Sequence, residues 1–387
     1  MLENRSFDHF LGWLPGADGR QAGLTYLDRS DVRHETWPLA PNYQGCGHLD
    51  PDHSYRGARI TYDSGKCDGW LKNPRNDVFA IGYYARDDLA FFGQHAPHWT
   101  VFDRYFPAVM AETLPNRIYQ HAGQTDRIRN SLAISSLPTI WDRLAEKGLT
   151  GRYYYGDVPI LALWGSRYAS IGRHYSQFAA DCAAGQLPNV AFVDPSFLQG
   201  SRGTPGDDHP HDDVRNGEAF LDGVYRAVVR GPAWSKTLLV VNFDEWGGFF
   251  EHVAPPKGPI SFSDRVIGND GLRGFRVPCV AISPWSRRGF VSHEVLDHTS
   301  VLKLIEWRWG LPPLAVRDES ANNLASSLDF ANPSLEAPQP AVPTGPFGSP
   351  CPGTVSKTPT AVSRILSSTG FSWVGLRNLA RDYGWPV

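Results

Sequence analysis

The stretch "TLLVVNFDEWGG", residues 237–248, decides how this chain is read. Leu238–Val241 form an unbroken apolar run that is too short for a buried helix. It leads through Asn242 and Phe243 into two adjacent acids and a glycine pair. A short apolar run without alternation reads as a strand covered on both faces. In sheets whose strands alternate with helices, ligands lie beyond the carboxyl ends of the strands. Asp244 and Glu245 are therefore site candidates. Gly247-Gly248 reads as an ordinary turn after the strand in preference to a phosphate cradle.

The pattern repeats on either side. "NVAFVDPSF" (189–197) and "RVPCVAISPW" (276–285) read as buried strands. "IWDRLAEKG" (140–148), "NGEAFLDGVYRAVVRG" (216–231) and "HTSVLKLIEWRWG" (298–310) read as amphipathic helices closed by glycine. The alternation predicts an α/β fold with a mostly parallel central sheet and helices on both faces. From Ala331 the texture becomes rich in Pro, Gly and Ser. The expected division is a catalytic domain over 1–330, then a linker and C-terminal tail over 331–387.

Several functions are disfavoured at once. The net charge is −3 and no basic block occurs, so a nucleic-acid partner is not expected. No apolar run reaches the roughly 18–20 residues of a membrane span. There is no GxGxxG after a strand, no GxxxxGK[ST] and no GxSxG, which removes the simplest dinucleotide, P-loop and α/β-hydrolase readings. "HEVLDH" (293–298) sets its histidines five apart, one too many for a zincin helix. The cysteines have no CxxC spacing; Cys46 and Cys67 are a candidate pair if the protein is exported.

Polar residues gather in four places where packing alone does not ask for them. These are Glu3-Asn4, "HLDPDHSY" (48–55), "AETLPNR" (111–117), and the pair "DDHPHDD" (207–213) with "NFDEWGGFFEHVAPP" (242–256). Glu3, Asn4, Asp244 and Glu245 offer mainly oxygen donors, and Thr113 adds a hydroxyl. An all-oxygen shell suits one hard divalent cation, Ca²⁺, Mg²⁺ or Mn²⁺, better than zinc. Such a cation offsets phosphate charge and lowers the pKa of a coordinated hydroxyl.

Six stretches then occur in one order: "ENRSFDHFLG", "DPDHSY", T-x-P-N-R, "HP" before "DVRNGEAF", "FDEWGGFFEHVAPP" and "DHTSVLKLIEWRWGLPPL" followed by "RD". In these the chain resembles the bacterial phosphoesterase family of phospholipases C and acid phosphatases, within the alkaline-phosphatase superfamily. The resemblance implies a metal-dependent phosphoesterase, phospholipase C-like, with Thr113 as the nucleophile and a covalent phosphothreonine. It implies that His53 and His209 hold phosphate oxygens or protonate the leaving group. Asn116, Arg117 and His252 are expected at the substrate. The alternatives are an acid phosphatase without lipid preference and an inactive phosphate-ester-binding homologue. The histidine usual after the Asp-Glu pair is Trp246 here.

The chemistry begins at residue 3, yet a catalytic ligand needs a fixed backbone. The expectation is that a strand of roughly five to eight residues naturally precedes "MLENRSFDHF". With an export signal before it, the location would be secreted or periplasmic.

Overall fold

The computed structural model describes residues 1–198, 203–352 and 371–387. The strands that position the site are β1 (Thr100–Phe102), β2 (Gly151–Tyr155), β3 (Gly172–His174), β4 (Val190–Val193), β5 (Leu239–Asn242), β6 (Cys279–Ile282) and β7 (Phe290–Ser292). The helices around them include α1 (Phe7–Leu11), α2 (Thr113–Ala122), α3 (Ile140–Glu146), α4 (Val214–Arg230), α5 (Phe262–Val266), α6 (His298–Trp309) and α7 (Trp373–Asp382). All three predicted strands and all three predicted helices are present, with ends displaced by a few residues. Gly310 closes α6 at φ 62°, the left-handed turn that glycine adopts without strain.

The fold is α/β, but the sheet expectation needs correction in one respect. One sheet, ordered β3-β2-β4, is fully parallel. The largest sheet, ordered β5-β6-β1-β7, pairs β5–β6 and β6–β1 antiparallel and only β1–β7 parallel. Apolar runs buried on both faces do not encode strand direction, so the sequence left the second sheet's polarity open.

The first two residues link the sheets. The Met1 amine donates to Val193 O of β4 at 2.9 Å, and Leu2 N donates to Asn242 O of β5 at 2.9 Å. Asp244 N donates back to Leu2 O at 3.0 Å, closing a parallel bridge between Leu2 and Phe243. These bonds bring Glu3 and Asn4 to the carboxyl ends of β4 and β5.

Two apolar cores lie against this frame. The larger packs α1, the β5–β6–β1 strands and α4 around Phe10, Phe92, Phe243 and Val280. The second joins Leu114 and Ile118 of α2 to Trp141 of α3, Tyr153 and Tyr155 of β2, and Leu376 of α7. Residues 331–350 carry no helix or strand. They run along α4, where Tyr225 donates to Pro338 O at 2.6 Å and Phe347 N donates to Asn216 Oδ1 at 2.9 Å. Part of the predicted linker and tail, 353–370, lies outside the described residues.

The cysteine expectation is corrected. Cys46 is bonded to Cys351, 305 residues away, and Cys67 is a buried free thiol. Nearness in sequence favoured Cys67, but the wrapping of the tail brings Cys351 to Cys46. "HEVLDH" is no metal helix: His293 bonds Asp103, whereas His298 begins α6 and donates from Nε2 to Phe243 O at 3.0 Å.

Candidate active site

Thr113 is the first residue of α2, and Glu112 before it is extended. A helix N-terminus exposes N–H groups and carries partial positive charge, so it favours an anion. Asn130 frames this end: its Oδ1 accepts from Leu114 N at 2.7 Å, and its N–H donates to Glu112 Oε2 at 2.6 Å. The Thr113 hydroxyl donates to Glu3 Oε2 at 3.2 Å.

Around that hydroxyl the sequence-distant segments meet. Asn4 N donates to Asp244 Oδ1 at 3.2 Å. The Asn4 side-chain amide lies 3.4 Å from His53 Nε2, which is 3.7 Å from Glu245 Oε1. The rings of His53 and His209 are edge-on, with centroids 6.0 Å apart. Glu3 N donates to Asp207 O at 2.7 Å, which ties the His209 segment to the same point. The structure therefore brings together Glu3, Asn4, His53, Thr113, His209, Asp244 and Glu245.

The backbone is shaped for this meeting. Asn4 has φ 59°, a left-handed conformation that asparagine tolerates better than most residues. Gly247 has φ +64°, and a Cβ there would lie 2.0 Å from Asn4 O. A Cβ on Gly248 would lie 2.7 Å from Pro51. The glycine pair thus lets the Asp244 loop press on both the Glu3-Asn4 and the His53 segments. Trp246, where the family's usual histidine would stand, is buried against Phe275.

Glu3, Asn4, Asp244 and Glu245 are fully buried. Burial, and then the charge of Asp244, raise the pKa of Glu3 well above the usual carboxylate range. The same two causes, in the same order, raise Glu245. Asn4 Oδ1 and Glu245 Oε1 are buried acceptors with no hydrogen-bond donor among the described residues. Crowded buried carboxylates with orphaned oxygens need positive charge. This all-oxygen donor set fits a hard divalent cation.

Part of that charge comes from Arg117. Its Nη2 lies 2.6 Å from Glu3 Oε1, its Nη1 2.9 Å from Asp194 Oδ1 and its Nε 3.3 Å from Asp244 Oδ2. Burial opposes the charged guanidinium, but Asp194, Glu3 and Asp244 together raise its pKa.

The other two residues expected at the substrate lie elsewhere. Asn116 accepts from Val109 N at 3.0 Å and donates to Ala111 O and Glu112 O at 2.8 and 3.2 Å, so its amide fastens the loop before Thr113. His252 bonds Asp8 and Asp18 beside Glu251 and Arg276. Ligand atoms of Asp8, Glu251 and His252 lie within 4.8 Å of one another. Arg276 already supplies the countercharge there, with Nη2 2.7 Å from Glu251 and 3.3 Å from Asp8.

Sequence reasoning passed over Asp194, which accepts from both Arg117 and the Tyr153 hydroxyl. The signal was available: Asp194 follows β4 as Asp244 follows β5, at the carboxyl end of an apolar strand.

The chain is 29% identical to phospholipase C A of Mycobacterium tuberculosis over 442 residues, covering 95% of this chain and 82% of that one. It is 30% identical to phospholipase C B of the same organism over 418 residues, covering 89% and 78%. Among solved structures, the phosphonate monoester hydrolase of Agrobacterium radiobacter matches with a TM-score of 0.37 at 12% identity, covering 77% of each chain. The family model described as Phosphoesterase family matches residues 1–312. The chain belongs to the Phosphoesterase family and is a hydrolase of phosphoric esters.

Proposed function

We propose that the chain is a metal-dependent, phospholipase C-like phosphodiesterase with Thr113 as its nucleophile. The observation that carries this reading is the Thr113 hydroxyl, aimed at Glu3 from the N-terminus of α2 beside Asp244, Asn4 and Glu245. The relatives named phospholipase C support a diester substrate.

Glu3, Asn4, Thr113, Asp244 and Glu245 would hold the divalent cation. When bound, it supplies charge that offsets the phosphate and favours the alkoxide of Thr113. The other steps belong to the chain. The N-terminus of α2 orients the phosphate, and Thr113 Oγ1 forms a bond to phosphorus as its proton passes to Glu3 Oε2, the acceptor of its hydrogen bond. The bond from phosphorus to the alcohol oxygen breaks. His53 or His209 gives a proton to that oxygen, acting as general acid. Water then forms a bond to phosphorus and gives one proton back to the histidine, the bond from phosphorus to Thr113 Oγ1 breaks, and Thr113 regains its proton from Glu3. Arg117 acts as a positioning residue: its guanidinium faces Glu3, Asp194 and Asp244. The disulfide between Cys46 and Cys351 favours an oxidising, exported location.

The test is turnover of a chromogenic phosphodiester and monoester, with and without chelator, by wild type, Thr113→Ala and Thr113→Ser. Loss in the alanine variant, partial retention in the serine variant and abolition by chelator are expected. Near-wild-type turnover by Thr113→Ala removes the covalent mechanism. A preference for the monoester favours the acid phosphatase reading.

A further inference from the structure

The short helix α5 is amphipathic in the reverse sense. Its aspartate is inside: Asp264 is 1% exposed and accepts from the Tyr119 hydroxyl at 3.2 Å, Thr125 N at 3.3 Å and the Ser261 hydroxyl at 2.7 Å. Its large apolar residues are outside. Phe262 is 81% and Val266 69% exposed, the two most exposed large hydrophobic side chains among the described residues. They stand four apart, so they share a face of the helix, and exposed Arg265 lies beside them. Surface helices ordinarily turn such residues inward, so an outward Phe and Val on a helix pinned from below by its acid asks for a partner.

The place of this helix says what the partner is. The turn after α5 reaches Gly268, whose carbonyl accepts from the Tyr55 hydroxyl at 2.7 Å. Tyr55 is two residues from His53. A Cβ on Gly268 would be 3.7 Å from Ile128 Cδ1, and Ile128-Arg129 lead into Asn130, which brackets Thr113. The apolar pair therefore stands on the rim of the active site. Arg129 and Arg265 are exposed there and make no ion pair within 4.0 Å among the described residues, although the charge of Arg129 acts on buried Glu112, whereas Asp126 and Asp270 are each held by an arginine of their own. In a chain of net charge −3, the exposed unpaired charges of this rim are cationic and stand beside its apolar pair, while the carboxylates of Asp264 and Glu112 are buried beneath it.

We infer that α5 and its rim dock the enzyme on an anionic lipid surface, with Phe262 and Val266 entering the headgroup–acyl boundary and Arg129 and Arg265 meeting lipid phosphates. The inference rests on the phosphodiesterase reading and deepens it: the substrate is an ester presented at a membrane surface rather than one dissolved in water. Aromatic and aliphatic side chains ringed by arginines suit that boundary better than a flat protein interface.

The test is co-sedimentation of the full chain with vesicles of phosphatidylcholine alone or with about 30% phosphatidylglycerol, under chelator so that no lipid is consumed. Wild type should bind the anionic vesicles more tightly than the neutral ones. Phe262→Ser with Val266→Ser should weaken partitioning about tenfold or more. Arg129→Gln with Arg265→Gln should cost about fivefold per arginine on the anionic vesicles alone. Turnover of the soluble chromogenic diester should stay at the wild-type level in both double variants, which shows that they fold. Binding unchanged by either double variant, or no vesicle binding by wild type, overturns the proposal. So does a protein dimer that the Phe262/Val266 variant abolishes while vesicles are ignored. If the soluble diester is not turned over yet vesicle binding behaves as described, the phosphodiesterase reading fails and the docking surface stands.

Discussion

Arg117 Nη2 lies 2.6 Å from Glu3 Oε1, and both side chains are buried. An arginine that the sequence offers as a phosphate clamp is thus an internal partner of a carboxylate at the candidate site. The pair ties the third segment of the site, at α2, to the first, at the N-terminus.

Arg117→Ala is expected to destabilise the protein by about 3–5 kcal/mol, because Glu3, Asp194 and Asp244 then stay buried with no guanidinium among them. Urea unfolding measures it. Arg117→Lys should fall between, since one ammonium cannot face three carboxylates at once. A divalent cation should restore part of the loss. Wild-type stability in the alanine variant would show that these carboxylates are held apart by other means.

Gly247→Ala forces a Cβ to 2.0 Å from Asn4 O at a backbone φ of +64°. The loop must move off Glu3-Asn4. A displacement of about 1 Å at a reacting group typically costs on the order of 100-fold in rate. The measurement is kcat on the soluble diester together with divalent-cation affinity, both of which should drop while the far-ultraviolet circular dichroism is retained.

Glu218 of α4 is fully buried and accepts from Phe92 N at 3.2 Å. Burial pushes its carboxyl up from 4.5 to about 8, with the N–H groups of Phe91 and Phe92 opposing in part. A raised folded-state pKa means the native protein holds a proton that the unfolded chain has released. The stabilisation is therefore complete below 4.5 and is lost as pH rises through about 8. Thermal unfolding should show the melting temperature of wild type falling across that window. Glu218→Gln should flatten the fall and leave the acid side little changed. A parallel decline in both proteins would mean Glu218 is ionised in the native state.

Cys351→Ser opens a disulfide that joins residues 305 apart. Closing so long a loop restricts the unfolded chain, and its loss is expected to remove about 2–5 kcal/mol. The tail contacts at Tyr225 and Asn216 should then be the first to yield. Limited proteolysis should cut between residues 331 and 350 sooner in the variant than in wild type. Equal cleavage rates would show that the hydrogen bonds along α4 hold the tail without the disulfide.

Element types and most of the candidate site are legible in the chain. Apolar run length distinguishes strand from helix locally, and an acid after such a run marks a carboxyl end, which is how Asp244 and Glu245 were legible. Order along the chain linked Glu3, Asn4, His53, Thr113 and His209 to one chemistry. Which polar groups face each other is set by packing between distant segments. Arg117 turned to three carboxylates, Asn116 to the loop before Thr113, and His252 to a separate network with Arg276, because each buried polar atom takes the partner that packing sets within about 3 Å. Strand direction in the second sheet, the partner of Cys46 and the outward face of α5 were decided at the same level. They depend on which distant segments the two cores bring together, and that distance information has no local trace in the chain.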